Sequence, residues 1–79
     1  MKYIFSNHAK KRMRERSVIV KEVLDAIANP TKILYDSKSR ALFKKLYNKK
    51  GVSRLLLVAC EFSKGVIRII TVIETSKVK

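Results

Sequence analysis

Residues 54–75 read RLLLVACEFSKGVIRIITVIET, and this stretch decides the fold class. It contains two apolar runs rich in β-branched residues, 54–62 and 66–75, joined by the short polar segment Ser63-Lys64-Gly65. A short turn between two such runs predicts strands that pair as an antiparallel hairpin. Both runs are apolar almost throughout, which indicates central strands that pack on both faces.

Two further strands are predicted before this hairpin, at residues 31–36 and 42–47. The segments that follow them, 37–39 and 48–51, are short, so neighbouring strands are expected to pair antiparallel. The strand at 42–47 carries the pair Lys44-Lys45. It is expected to lie nearer an edge, where lysine discourages unwanted pairing.

Two helices are expected ahead of the strands. Ser6 is a favoured N-cap residue, and nothing interrupts a helix from residue 7 to residue 16. Only Ala9 and Met13 form an apolar stripe there, so this helix buries little. A second helix ends at Asn29-Pro30, because the residue before proline avoids the helical region. The core-facing stripe of the second helix is predicted to be Val20, Val23, Leu24, Ile27 and Ala28.

The predicted fold is therefore α+β, with two N-terminal helices packed on one face of a four-stranded antiparallel β-meander. A chain of 79 residues has room for a single domain, residues 1–79. The longest apolar run, 55–60, is far shorter than the roughly 18–20 residues that span a bilayer. No signal-peptide pattern occurs, so the expected compartment is the cytoplasm. The single cysteine, Cys60, is expected to be an inert buried thiol.

Charge is the strongest global signal in the composition. Nineteen Lys and Arg residues against six Asp and Glu residues give a net charge of +13. Such an excess is tolerated most naturally where a polyanion neutralises it, and the candidates are a nucleic acid, an anionic membrane and an acidic protein. The narrow apolar stripe of the first helix argues against a membrane. A lysine-rich surface from a hot environment would usually carry as much glutamate. The expected partner is therefore a nucleic acid, with RNA favoured.

The only histidine lies in the opening turn of the first helix. At about 100° per residue, Arg12 and Arg16 share a face with His8, and Glu15 lies beside it. This group suits metal-independent RNA cleavage, in which the ribose 2′-hydroxyl attacks the phosphate. Histidine can transfer the proton near neutral pH, and arginine matches two phosphate oxygens. The alternative is an exposed histidine that forms only local hydrogen bonds.

Other basic residues are candidates for holding the flanking RNA, and no metal or cofactor is expected. The six acids are scattered without paired spacing, and no glycine-rich phosphate loop occurs. Hydroxyls of Thr71 and Thr75 with the Lys77 ammonium could complete a phosphate site, or this end could be a frayed terminus. Most aromatic residues are expected in the core, with Tyr47 the best candidate for base stacking. The predicted nucleic-acid-binding residues are Lys10, Lys11, Arg14, Lys44, Lys45, Tyr47, Lys49 and Lys50.

The stretch FSNHAKKRMRER at residues 5–16 resembles the S-x-H-A-x-x-R-M-x-x-R opening of a family of small bacterial and archaeal proteins. Asn29-Pro30, Thr71-Val72 and Thr75-Ser76-Lys77 match that family as well, whereas Ile19 stands where it usually has a Ser or Thr cap. The family is grouped with RelE-like and BrnT-like toxins and with barnase-like and colicin-type RNases. The resemblance implies a metal-independent ribonuclease scaffold, often the toxin of a toxin–antitoxin pair. The catalytic site that it implies comprises His8, Arg12 and Arg16, with Thr71 and Lys77 as further members.

The leading hypothesis is an RNA endonuclease of toxin type. His8 would transfer the proton, while Arg12 and Arg16 would hold the scissile phosphate. An acidic antitoxin protein would neutralise the same basic surface, and neither a membrane nor a small-molecule cofactor is expected. Two alternatives stay open: a non-catalytic RNA- or DNA-binding protein, and an interaction protein whose basic face docks an acidic partner.

Overall fold

The chain forms one short strand, then two helices, then four consecutive strands. The computed structural model describes residues 2–37 and 39–76. Both predicted helices and all four predicted strands are present, and the N-terminal strand is an addition to them. The elements are β1 (Lys2–Phe5), α1 (Asn7–Arg16), α2 (Val20–Ala28), β2 (Lys32–Ser37), β3 (Arg40–Lys49), β4 (Val52–Ser63) and β5 (Val66–Thr75).

The five strands form one mixed sheet in the order β1-β5-β4-β3-β2. β1 runs parallel to the first half of β5, from Lys2 opposite Val66 to Phe5 opposite Ile69. The other three pairings are antiparallel. The prediction of a four-stranded antiparallel meander is therefore wrong, although the α+β class stands. A four-residue strand is too short for its two-residue period to stand out in the sequence.

Ser6 connects β1 to α1 and ties both to β5. Its hydroxyl accepts a hydrogen bond from the Ala9 amide at 3.0 Å, which is the N-cap interaction expected from the sequence. The same hydroxyl donates to the Ile70 carbonyl at 2.7 Å. The Ser6 amide also donates to the Ile69 carbonyl at 2.9 Å. α1 therefore begins directly against the middle of β5.

β5 contains a β-bulge at this contact. The register skips Ile70, because Ile69 and Thr71 lie opposite consecutive residues of β4. An extra residue in a strand shifts the alternation of side chains between the two faces of the sheet. Val72 and Glu74 consequently face the same side as Ile69, whereas Thr71 faces the other side.

The core-facing stripe of α2 differs from the predicted one. Val23 and Ala26 are fully buried, and Ile27 is partly buried against them. Val20 and Ala28, which were predicted to face the core, are exposed. The small Ala26 side chain allows the helix to approach the sheet closely, so the buried stripe follows positions i, i+3 and i+4 from Val23.

The core lies between the two helices and one face of the sheet. α1 contributes Ala9 and Met13, as predicted. Burial raises the pKa of the Cys60 thiol to about 12, which agrees with its predicted inert role. In the part of the chain that the structure describes, no helix has the length and apolar character needed to cross a membrane. The buried residues that the sheet contributes are Ala41, Phe43, Leu56, Val58, Cys60, Ile67, Ile69 and Val72.

Candidate functional site

A cleft of about 460 Å³ opens where the C-terminal end of α1 meets the hairpin between β3 and β4. The hairpin turns at Lys50 and Gly51, whose φ angles are 54° and 77°. Positive φ at both central residues is what a tight two-residue hairpin turn requires, and Gly51 adopts it at no steric cost. The turn places Lys50 at the mouth of the cleft. The lining residues are Glu15, Arg16, Ser17, Lys49, Lys50, Val52, Arg54 and Glu74.

Glu74 lies at the base of the cleft, with only 6% of its side chain exposed. The Tyr47 hydroxyl donates a hydrogen bond to its carboxylate. The Arg54 guanidinium lies 3.6 Å from the same carboxylate. A buried carboxylate requires such partners, because the loss of hydration would otherwise disfavour its charge. We refer to Tyr47, Arg54 and Glu74 as the Glu74 network.

The Tyr47 hydroxyl keeps its proton over the physiological pH range. Burial raises the pKa of Tyr47 well above its usual value, and the hydrogen bond and negative charge of Glu74 raise it further. The hydroxyl therefore remains a donor. Arg54 is less completely engaged, since its buried Nε has no hydrogen-bond partner among residues 2–37 and 39–76. About a third of the Arg54 side chain is exposed, where the residue lines the cleft.

Basic side chains outnumber acidic ones around the cleft. Arg16 and Lys50 are exposed at its rim, and neither forms an ion pair within the described part of the chain. Lys49 lies 3.8 Å from the Glu22 carboxylate of α2, so part of its charge serves to hold that helix. The lining of the cleft therefore contains four basic side chains and two carboxylates. The basic residues are Arg16, Lys49, Lys50 and Arg54, and the acidic residues are Glu15 and Glu74. A concave site with that balance attracts an anion.

The predicted histidine and arginines of α1 do not all reach the cleft. His8, Arg12 and Arg16 are exposed on the helix. At a rise of 1.5 Å per residue, His8 lies about 12 Å along the helix axis from Arg16. Neither His8 nor Arg12 is among the described residues that line the cleft. Arg12 instead lies 3.5 Å from Glu15, its neighbour one turn later. α1 thus presents an exposed row that leads towards the cleft from one side.

The predicted lysines of β3 lie on both faces of the sheet, because side chains alternate along a strand. Lys45 faces the helices, donates to the Asn29 carbonyl at 2.6 Å and lies 3.7 Å from the Asp25 carboxylate. Lys44 faces the opposite side, away from the cleft. Lys45 therefore serves to hold α2. The predicted cations of α1 that are exposed are Lys10, Lys11 and Arg14.

Three further residues that were predicted to bind or cleave RNA are not available in the cleft of the described structure. Thr71 lies opposite Ala59 on the face of the sheet that is turned away from the helices, as a result of the bulge at Ile70. Lys77 lies outside the described residues. The Tyr47 hydroxyl is engaged by Glu74, and its ring is partly buried against the core, so this residue is not an open stacking platform.

Glu74 and Arg54 are functional candidates that were not predicted from the sequence. A strict two-residue period from Ile69 would place Glu74 on the face opposite the core. The bulge reverses this, and a bulge leaves no clear mark in a run of β-branched residues. The available signal was the single acidic residue in a mostly apolar strand, in a chain with six acids.

The described residues that line the cleft do not form the ligand set of a metal centre. No group of three or more His, Cys, Asp or Glu side chains that could hold a metal ion occurs among residues 2–37 and 39–76. What the described residues supply is one desolvated carboxylate, a tyrosine that donates to it, and several cations. These groups can accept a proton and stabilise negative charge on a bound anion.

Comparison with known families assigns most of the chain to one family. A family model described as a domain of unknown function, DUF4258, matches residues 5–74. The chain belongs to the DUF4258 family. The matched region of the DUF4258 domain runs from the end of β1 to Glu74, and it includes Ser6, both helices and the residues that line the cleft. No curated protein and no solved structure matches the chain.

Proposed function

We propose that this DUF4258 protein is a metal-independent RNA endonuclease that acts at the cleft between α1 and the β3–β4 hairpin. The observation that carries the proposal is the position of Glu74, a nearly buried carboxylate at the base of a cleft with four basic side chains. RNA carries its own nucleophile, the ribose 2′-hydroxyl. A protein that cleaves it needs only to move protons and to stabilise charge on the phosphate. Such an enzyme would act in the cytoplasm, where RNA is present.

In this proposal the scissile phosphate lies among Arg16, Lys50 and Arg54. Glu74 accepts the proton from the 2′-hydroxyl as that oxygen attacks phosphorus. The cations stabilise the extra negative charge of the pentacoordinate intermediate, and guanidinium groups suit this role because their forked donors match two phosphate oxygens. The 5′-oxygen leaves towards the open mouth of the cleft and takes a proton from solvent water there. The products are a 2′,3′-cyclic phosphate and a free 5′-hydroxyl.

The exposed face of α1 binds the flanking strand. His8 lies about two helical turns from Arg16, too far to act on a phosphate held in the cleft. His8 and Arg12 would therefore contact neighbouring nucleotides, together with Lys10, Lys11 and Arg14. The sequence-based hypothesis assigned proton transfer to His8, so the two assignments make different predictions for the His8→Ala variant.

A second candidate function is RNA binding without cleavage. It is favoured by one observation: the Glu74 carboxylate already has two protein partners and is only 6% exposed. In that case the Glu74 network is structural, and the basic cleft and α1 hold RNA. The resemblance to RelE-like and BrnT-like toxins favours the enzyme, and it adds an acidic antitoxin as the partner that would cover the basic surface.

The decisive experiment compares cleavage by Glu74→Gln and His8→Ala variants with that of the unaltered protein. The substrate is a labelled single-stranded RNA in excess EDTA, and the readout is defined fragments with cyclic-phosphate ends. Loss of a general base typically lowers the rate about 10²–10⁴-fold, so Glu74→Gln should fall in that range while RNA affinity changes less than about twofold. His8→Ala should retain activity within about tenfold.

Glu61→Gln is the matched control, because Glu61 also pairs with arginines, Arg40 at 3.4 Å and Arg68 at 3.9 Å, but lies on the other face of the sheet. It should cleave normally. A substrate with 2′-deoxyribose throughout should stay intact, since it lacks the nucleophile. Full activity in Glu74→Gln together with loss of activity in His8→Ala would show that His8 on α1, and not Glu74, transfers the proton. No cleavage by the unaltered protein at any pH, with salt-sensitive binding retained, would leave only the binding function.

A further inference from the structure

The face of the sheet that is turned away from the helices is largely apolar and uncovered by any described residue. The strand registers arrange its central part in three rows that run across the sheet. Rows are separated by two residues, or about 6.5 Å, and neighbouring strands are about 4.8 Å apart. The rows are Leu34-Leu42-Ala59-Thr71, then Lys32-Lys44-Leu57-Ile73, then Leu46-Leu55-Thr75. We refer to these residues as the open face.

The large aliphatic residues of the open face are accessible. Leu34, Leu46 and Ile73 are 40%, 45% and 47% exposed, and Leu42, Leu55 and Leu57 between them are partly exposed. The opposite face of the same strands is covered by α1 and α2. Scattered exposed aliphatic side chains need no explanation, but contiguous rows of them on a small domain are typical of a surface that binds another molecule.

Two lysines give the open face a charge preference. Lys32 and Lys44 lie opposite each other on β2 and β3, within the middle row. A shallow cavity of about 200 Å³ lies beside them, lined by both lysines, Leu46, Leu55 and Thr31. Neither ammonium group has an ion-pair partner among residues 2–37 and 39–76. The site therefore offers an apolar depression with two adjacent positive charges.

We propose that the open face binds an acidic amphipathic helix of a partner protein. A helix places apolar residues at i, i+3, i+4 and i+7 over about 10 Å, and one more turn extends this stripe across the roughly 13 Å that the three rows span. An aspartate or glutamate on the flank of that stripe would reach Lys32 and Lys44 while a leucine-sized side chain fills the cavity. The opposite face of this sheet accepts α2 in the same manner, with Lys45 paired to Asp25.

Charge complementarity selects this occupant over two others. A second copy of the chain would bring another +13 of net charge to the interface and place lysines near lysines. A membrane would require apolar side chains that protrude beyond the charged ones, whereas Lys32 and Lys44 lie within the apolar rows. An acidic helix satisfies both the apolar and the charged elements. The inference does not depend on the proposed ribonuclease activity, because the open face and the cleft lie on different faces of the sheet.

The test uses a labelled synthetic peptide of about 18 residues, built from leucine at helical spacing with flanking glutamates and alanines. The matched control peptide has the same composition in scrambled order, so it keeps the charge but loses the stripe. Fluorescence anisotropy should show at least tenfold tighter binding of the amphipathic peptide. A Leu46→Thr/Ile73→Thr variant and, separately, a Lys44→Glu variant should each weaken that binding at least tenfold.

Two control variants change the same residue types elsewhere on the surface. Ile19→Thr replaces an exposed isoleucine before α2, and Lys10→Glu reverses an exposed charge on α1. Both should bind the amphipathic peptide within about twofold of the unaltered protein, and circular dichroism should show that all variants are folded.

Three outcomes would overturn the proposal. Equal binding of the two peptides would show that binding depends on net charge alone and not on the apolar stripe of a helix. A dimer in light scattering that Leu46→Thr/Ile73→Thr dissociates would identify a second copy as the occupant. Co-sedimentation with vesicles of equal parts phosphatidylglycerol and phosphatidylcholine, lost in the same variant, would identify a membrane.

Discussion

Replacing Ser6 with alanine should destabilise the domain by about 2 kcal/mol. The hydroxyl makes two hydrogen bonds, accepting from the Ala9 amide and donating to the Ile70 carbonyl. Loss of an N-cap of this type typically costs about 1 kcal/mol. The Ile70 carbonyl is partly buried, and leaving it without its partner costs about 1 kcal/mol more. For a domain of this size the sum corresponds to a fall of roughly 10 °C in Tm.

The measurement is urea denaturation followed by circular dichroism, with Ser6→Thr and Ser6→Asp as companion variants. Ser6→Thr retains a hydroxyl for both hydrogen bonds and should stay within about 0.5 kcal/mol of the unaltered protein. Ser6→Asp retains the cap acceptor but cannot donate to Ile70, so it should lie between the other two. If the free energy of unfolding of Ser6→Ala lies within about 0.5 kcal/mol of that of the unaltered protein, this contact does not hold α1 to β5.

Two further predictions concern charge and the buried thiol. Each cation that contacts a phosphate of single-stranded RNA adds about 0.7 to the slope of log affinity against log salt, so Arg16→Ala should lower that slope by about 0.7. Lys45→Met should leave it unchanged, because Lys45 is bound to Asp25 and Asn29; equal effects in the two variants would contradict the assignment of RNA to the cleft side. The folded protein keeps the Cys60 proton up to a pKa of about 12, whereas the unfolded chain releases it above pH 9.0. The free energy of unfolding should therefore fall between these pH values by up to about 1.4 kcal/mol per pH unit, and a Cys60→Ala variant measured by urea denaturation should show a smaller fall. An identical pH dependence in both proteins would show that the thiol is not desolvated.

Local signals predicted the elements of this fold well where one residue type fixes the backbone. Ser6 caps α1 as expected, and Asn29-Pro30 follows the last residue of α2. The turn at Ser63-Lys64-Gly65 joins the β4–β5 hairpin. Each of these depends on hydrogen bonds or dihedral angles within a few residues, which is the range over which a sequence pattern carries information.

The sheet order and the site could not be predicted in the same way, because both depend on long-range contacts. β1 pairs with a strand more than sixty residues away, and its four residues carry no periodic signal. The lysines of β3 illustrate the same limit: Lys44 and Lys45 are adjacent in sequence, yet one lies on the open face and the other holds α2. Net charge predicted that the surface is basic, but not which cations remain available for a ligand.

A single extra residue in β5 links the fold to the proposed chemistry. With regular alternation from Ile69, Thr71 would face the helices and Glu74 would lie on the open face. The bulge at Ile70 exchanges them, so that Glu74 enters the cleft and Thr71 leaves it. Ser6 binds the carbonyl of the bulged residue itself, and α1 begins from that contact. The same local irregularity therefore sets where α1 starts and which side of the sheet receives the carboxylate. If the cleft is the active site, insertion of one residue between Val72 and Ile73 should abolish activity by placing Glu74 on the wrong face, even in molecules that retain the sheet.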